Sequence, residues 1–337
     1  MTRVGKLDRE TLERDVLGHF KTTRKELLLG PVFGVDVAVI RCPSGYLITS
    51  TDPITGEVDD IGWYSVHVSC NDVATSGNRP QFVETVIMMG EGEGNGRAAE
   101  ISKGIARAAK QVDVDVVGGH TERTPGLGRS IVVTTAFAFA EGYVTAAGAK
   151  DGDSIVLTKT AGIEGTSILA SMTKGRLTHL ARRTVNEGKR LSRLMSVVDE
   201  GEAAFREGGV HAMHDPTEGG ILGGLYEMGV GSGLGFTIEE SRIPLAECTM
   251  EITGELGVDP LRLIASGSML MAVAPGRVSG VLRAVKAVGV DAAVVGRFGG
   301  GERILVKRDG SRERVDETVL DELWRIVEEG GQRPKRR

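Results

Sequence analysis

Four aspartates stand where an apolar run begins or ends, and they give the sequence its chemical content. Asp36 opens a run in GVDVAVI, Asp52 follows one in TSTDPIT, Asp72 lies beside Asn71 in SCNDVATSG, and Asp215 closes one in HAMHDPTEGG. Taken singly, three have ordinary readings: a turn acid at Asp36, an Asp-Pro turn at Asp52, a helix N-cap at Asp215. Asp72 is different. On a helix over 61–76, Val66, Cys70, Val73 and Ala74 make the apolar face, and Asn71 and Asp72 sit beside it in a stretch with little other charge. A carboxylate there needs a partner or a cation. Several acids converging from the ends of elements are what Mg²⁺ uses when it carries nucleotide phosphates. The ion takes one or two carboxylates, keeps waters and bridges phosphate oxygens.

Two glycine-rich turns extend this constellation. Gly118-Gly119-His120-Thr121-Glu122 follows a strand, and Glu218-Gly219-Gly220 opens a helix after Asp215. Glycines at such points let backbone N–H groups approach an anion, or simply make a turn. His120 reads either as a phosphate-orienting or acid–base group or as a turn cap. Lys6 reads either as a phosphate clamp on an N-terminal arm or as a solvated lysine. His211 and His214, three apart in a strand, face opposite sides, which argues against a two-histidine metal site. The chain has no GxxxxGK[ST], no GxGxxG opening a helix, and no GxSxG, HExxH or kinase motif set.

These residues need elements to hold them. Periodicity predicts a helix over 9–29 stopped by Gly30-Pro31, strands at 35–40 and 46–51, and a helix over 61–76 opened by Asp59 and Asp60. A strand at 82–89, an acidic loop at 90–96, a helix at 97–111 and strands at 114–117 and 131–140 follow. A second series begins near residue 150: a strand at 154–158, a helix at 164–173, a long helical stretch at 180–207, a strand at 210–213 and a helix at 218–230. Strands near 235–239, 268–274, 292–297 and 302–308 come next, with helices at 278–288 and 316–329. Strands and helices alternate in both halves, so the fold class is α/β or α+β. Two domains are expected, 1–148 and 149–330, with a disordered basic tail at 331–337.

Composition narrows the function classes. The 337 residues are 40% hydrophobic and 26% charged, ordinary for a globular protein, but 48 are glycine. A scattered net charge of −5 argues against nucleic acid or an anionic membrane as partner. No window reaches the roughly 18 apolar residues of a membrane span, and the charged N-terminus lacks a signal-peptide core. Cys42, Cys70 and Cys248 are far apart and in no CxxC spacing, so a reducing cytoplasm is the expected compartment.

In this order the motifs resemble the superfamily of aminoimidazole ribonucleotide synthetase (PurM), selenophosphate synthetase, thiamine-monophosphate kinase and the hydrogenase-maturation proteins HypE. The carriers are GVDVAVI, TSTDPIT, NDVATSGNRP, VVGGHTERTPG, DGDSIVLTKTAGIEGTSILAS and HDPTEGGILGGLYEMGVGSG. IEESRIPL and GELGVDPLRLIASGSMLMAV look closest to HypE and its archaeal homologues. The resemblance implies a PurM-like two-domain fold. Its N-terminal domain forms a β-barrel across a homodimer, and its C-terminal α+β domain closes over a cleft holding ATP and Mg²⁺. By motif position, Asp36, Asp72 and Asp215 match the metal-binding acids, Asp52 a nucleotide and phosphate contact, and Asn71 a polar neighbour. The expected site adds His120 and Lys6 to Asp72 as catalytic groups. It sets Gly118, Gly119, Thr121, Glu218, Gly219 and Gly220 against the nucleotide.

The chemistry implied is transfer of a phosphoryl group from ATP onto an amide- or thioamide-type oxygen of an unassigned substrate. Three departures bear on it. HypE modifies its own C-terminal cysteine, whereas this sequence ends GGQRPKRR and its last cysteine is Cys248, so the self-modifying carbamoyl dehydration is not expected. The cysteine or selenocysteine of selenophosphate synthetase is absent beside Lys6. His120 stands where HypE has Asp, as in selenophosphate synthetases. The expected function is a cytoplasmic, homodimeric, Mg²⁺- and ATP-dependent phosphoryl-transfer enzyme acting on a small-molecule or protein-bound amide. The alternative is a non-catalytic nucleotide-binding maturation or regulatory homodimer. Phosphoribosylformylglycinamidine cyclo-ligase and thiamine-monophosphate kinase activities rank below both.

Overall fold

A computed structural model describes residues 7–55, 60–94, 96–173 and 175–331. Lys6, Asp59 and the tail 332–337 lie outside the described residues. The first half contains α1 (Arg9–Asp15), β1 (Leu27–Leu29), β2 (Ala38–Arg41), β3 (Tyr46–Ile54), α2 (Ile61–Ala74), β4 (Phe82–Met89), α3 (Gly96–Val112), β5 (Asp115–Arg123) and β6 (Ile131–Ala140). Its strands make one six-stranded sheet in the order β1-β2-β3-β6-β4-β5, antiparallel except for the β4–β5 pair. On β6 the alternation of IVVTTAFAFA turns Val132, Thr134, Ala136 and Ala138 inward. These small side chains leave room for α2, which packs on β3 and β6.

The second half contains β7 (Ser154–Thr158), α4 (Ile163–Met172), α5 (Arg182–Arg190), α6 (Val198–Glu207), β8 (Val210–His214), α7 (Gly220–Ser232), β9 (Phe236–Glu239), α8 (Glu247–Leu256), β10 (Leu270–Val273), α9 (Val278–Ala287), β11 (Ala292–Phe298), β12 (Arg303–Val306), β13 (Arg312–Arg314) and α10 (Glu322–Gly331). A seven-stranded sheet runs β13-β12-β9-β11-β7-β10-β8, antiparallel except for β9–β12. The fold is thus mixed α/β with one sheet per half. The cores are continuous: Val73 and Ala74 of α2 belong to the same buried cluster as Met213, Met269 and Met271 of the second half. Every residue of α2 except Trp63 is buried, so the expected one-sided apolar face is in fact a helix covered all round. No helix among the described residues is long and apolar enough to cross a membrane.

Several local expectations are corrected, each for a physical reason. The helix expected at 9–29 ends at Asp15. It buries no residue that would stabilise a longer one, and after a short 3₁₀ turn the chain forms β1 against β2. The stretch 180–207 breaks between α5 and α6, where Asn71 takes the backbone of the break. Its Nδ2 donates to the Met195 carbonyl at 2.7 Å and its Oδ1 accepts from Val197 N at 2.9 Å. β3 runs on through Asp52 and Pro53, which pair with Thr134 and Val133 of β6, so no Asp-Pro turn forms there. Gly118 to Glu122 continue β5 alongside β4 instead of turning. At Gly119 a Cβ would meet the Thr85 carbonyl oxygen at 1.9 Å, so only glycine permits this pairing. The last helix starts at Glu322, not near 316, and β1, α8 and β13 had no counterpart in the sequence reading.

Candidate functional site

A cleft of about 460 Å³ opens between the halves. Its walls are the 32–36 segment before β2, the C-terminal half of β3, Asp72 of α2, Glu164 at the start of α4 and the turn after β8. Gly34 makes the approach of the halves possible. Its φ is +74°, and a Cβ would lie 3.2 Å from Glu227 Cβ on α7.

Asp36, Asp52 and Asp72 line this cleft, and Asp215 lies beside them, fully buried. One ligand atom each from Asp36, His214 and Asp215 falls within 4.8 Å of the others. Ser50 Oγ donates to Asp72 Oδ2 at 2.6 Å. Among the described residues, no N–H or hydroxyl donates to either carboxylate oxygen of Asp215, whose neighbour is the carboxyl of Asp72. Burial, then the negative charges of Asp52, Asp215 and Asp36, pushes the Asp72 carboxyl well above the usual carboxylate range. Burial and Asp36 do the same to Asp215, with His214 working against them.

His214 holds this cluster together. Its Nδ1 lies 2.7 Å from Asp36 Oδ2 and its Nε2 2.7 Å from Glu227 Oε2. Burial alone would deprotonate the ring, but the two carboxylates outweigh it and hold its pKa well above that of a free histidine. With both nitrogens donating, His214 orients Asp36 instead of offering a lone pair to a metal. The donor set left over is all oxygen, and no Lys or Arg stands among the described lining residues. Two Asp215 oxygens with no described N–H or hydroxyl donor, beside acids that repel one another, fit a hard divalent cation.

The structure therefore brings together Asp36, Asp52, Asp72 and Asp215, with Glu218 on the same wall. Among the described residues, the others expected at the site do not line the cleft. Asn71 clamps the α5–α6 break. Gly219 N already donates to Asp321 Oδ2 at 2.7 Å and Gly220 N to the Thr217 carbonyl at 3.0 Å, so these amides are not free for an anion. Gly118, Gly119, His120 and Thr121 lie on β5, an exposed edge strand away from the cleft, where His120 Nε2 sits 3.2 Å from Glu122. Sequence reasoning missed His214, Glu227, Ser50 and Glu164. The i,i+3 spacing pairs His214 only with His211, which instead meets Asp153 at 2.9 Å. Its position next to Asp215 was the available signal.

Residues 34–140 match the family "AIR synthase related protein, N-terminal domain", and residues 150–308 match the corresponding C-terminal domain. Carbamoyl dehydratase HypE of Azotobacter vinelandii is 30% identical over 306 residues, covering 86% of this chain and 87% of the relative. Two solved structures share the fold. Hydrogenase maturation protein HypE in complex with ATP has a TM-score of 0.73 at 22% identity, covering 94% of this chain and 96% of that one. A HypE–HypF complex has a TM-score of 0.74 at 21% identity, covering 91% and 99%. With matches spanning both halves, this chain belongs to the AIR synthase-related family, has the PurM-like two-domain fold and is HypE-like.

Proposed function

We propose that this protein is a Mg²⁺- and ATP-dependent phosphoryl-transfer enzyme that activates an amide- or thioamide-type oxygen. The observation that carries the reading is Asp215: a fully buried carboxylate with no described N–H or hydroxyl donor, beside Asp36 and Asp72, in a cleft without a described basic side chain. Asp36, Asp72 and Asp215 would hold the metal, and Asp52 would face the phosphates. When bound, Mg²⁺ supplies neutralisation of the triphosphate charge. The chain's own work is positioning. Ser50 fixes the Asp72 carboxylate, and His214 fixes Asp36 against Glu227. Groups from both halves line the cleft and would orient the reacting atoms.

The ATP complex of a HypE neighbour supports nucleotide binding, and the HypE–HypF complex supports a protein partner. All nine residues of β5 are exposed at the edge of its sheet, with Val116 and Val117 among them. An open sheet edge of this kind, with Val116 and Val117 exposed at one end, supports a homodimer formed through it. Gly118, Gly119, His120 and Thr121 would then act from that interface. Lys6 would act as a phosphate clamp, and the setting would be cytoplasmic.

The test is calorimetric titration with ATP, with and without Mg²⁺, followed by ADP detection over hours. Metal-dependent binding with ADP release, stimulated by an amide or thioamide acceptor, is the expected result. Tight binding without ADP formation under any acceptor would make the protein a nucleotide-binding module. No binding would overturn the reading.

A further inference from the structure

A second cavity, of about 690 Å³, lies outside the cleft, where α2, α3 and the α5–α6 break meet. Two glycines bring the helices together. A Cβ at Gly62 of α2 would lie 2.2 Å from the Ile101 carbonyl oxygen, and one at Gly104 of α3 would lie 3.0 Å from Trp63 N. Trp63, next to Gly62, is the one residue of α2 left half-buried, and it forms a wall of the cavity. Its Nε1 donates to the Ser192 carbonyl at 3.2 Å, so the indole joins the first half to the α5–α6 break.

The charge of this cavity is opposite to that of the aspartate cleft. Arg107 of α3 stacks over Trp63, its guanidinium carbon 5.2 Å from the ring centroid, and pairs with Asp60. Lys110, one turn further along α3, and Arg193 of the break line the same cavity and are exposed. Among the described residues, neither has a hydrogen-bond or ion-pair partner. Three cations against the single carboxylate of Asp60 leave the lining at +2, in a chain whose total is −5. Like charges gathered in a recess focus a positive potential there, and an anion relieves their repulsion. Guanidinium forks and an ammonium are the groups that hold phosphate oxygens. The Trp63 ring and the aliphatic stems of the cations offer apolar contact to whatever carries the phosphate. The volume is that of a small-molecule site.

We propose that this cavity binds a small organic phosphate without a metal. Arg107, Lys110 and Arg193 hold the phosphate, and Trp63 takes the organic part. The site is separate from the cleft and stands whether or not the protein transfers phosphoryl groups. Arg107 and Lys110 belong to the first half and Arg193 to the second, so the bound anion ties the halves together at the break.

The experiment titrates phenyl phosphate and inorganic phosphate into the full-length protein in EDTA, with NaCl at matched ionic strength as control. Binding is read by calorimetry and by indole fluorescence. The chain has two tryptophans, so Trp324→Phe leaves Trp63 as the sole reporter. If that variant does not fold, calorimetry on the wild type carries the test. One equivalent of phenyl phosphate is expected to bind more tightly than inorganic phosphate, to change the Trp63 emission and to raise the melting temperature. Arg193→Gln and Lys110→Gln, both at exposed positions, should each weaken binding by roughly three- to tenfold, and the double variant by more. Mg-ATP affinity, measured on the same variants, should not change. No binding in EDTA, unchanged affinity in the double variant, or an emission change that NaCl reproduces overturns the site. Equal affinity for inorganic phosphate overturns the organic ligand. Loss of Mg-ATP binding together with phenyl phosphate binding would place these cations at the nucleotide and overturn a separate site.

Discussion

His214 Nδ1 lies 2.7 Å from Asp36 Oδ2, joining residues 178 positions apart in the chain. Through its other nitrogen the same ring reaches Glu227 on α7. One imidazole therefore sets the orientation of a proposed metal ligand from the first half using two elements of the second. The packing of the halves and the orientation of Asp36 thus share one side chain.

Replacing His214 with Phe should destabilise the protein by about 2–4 kcal/mol, because two part-buried carboxylates lose their common buried cation. The pH dependence has a defined sign. The folded pKa of His214 is raised above its ordinary 6.5. Its contribution is therefore fully present below about pH 6.5 and lost as pH rises through the raised folded value. Urea unfolding of both proteins across this range should show the difference narrowing at high pH. A constant difference would mean that the loss is one of packing alone.

Asp215→Asn should separate stability from function. The wild-type carboxylate is buried with no described N–H or hydroxyl donor, so the neutral isostere should raise the melting temperature of the nucleotide-free protein by a few degrees. The same change, and Asp72→Asn, should weaken Mg-ATP binding by about tenfold or more. Unchanged affinity in both variants would remove these residues from the metal site.

Binding of Mg²⁺ should release protons. Asp72 and Asp215 both hold their protons above the usual carboxylate range, and a bound cation favours their ionised forms. Calorimetry near pH 6 in buffers of different ionisation enthalpy should give apparent enthalpies that differ in proportion. Identical enthalpies would show that both acids are already ionised in the free protein.

Glu164→Gln gives a second pH signature, with the opposite slope from an ordinary paired acid. Its carboxyl sits at about 7 in the folded state against an ordinary 4.5. Wild-type stability therefore falls as pH rises from about 4.5 to about 7, and the loss is complete above that. The variant should gain on the order of 3 kcal/mol over wild type above pH 7 and nothing below pH 4.5. A gain independent of pH would contradict the raised value.

The edge of the first sheet predicts assembly. Val116 and Val117 are 45% and 53% exposed on β5. Changing both to Lys should shift a dimer to monomer in analytical ultracentrifugation, with little effect on the stability of the monomer. A wild-type protein that sediments as a monomer would remove the homodimer from the proposal.

Much of this protein was legible in the residues themselves. The strand at 82–89, the inward alternation of 131–140 and the helix near 97–111 follow from local periodicity, which needs no distant contact to operate. The acids Asp36, Asp52, Asp72 and Asp215 stood out because a carboxylate next to an apolar run demands an explanation wherever the chain leads it. The rest was decided by tertiary structure. Asn71 looked like a site residue until the α5–α6 break came to lie against it and took both ends of its amide. Gly118 to Thr121 looked like a phosphate turn, but pairing with β4 carried them outward along an edge strand. His214, Glu227 and Glu164 gained their meaning only from neighbours contributed by other elements. A side chain's protonation and partners depend on burial and on charges brought near in space, and neither is a property of the neighbouring sequence.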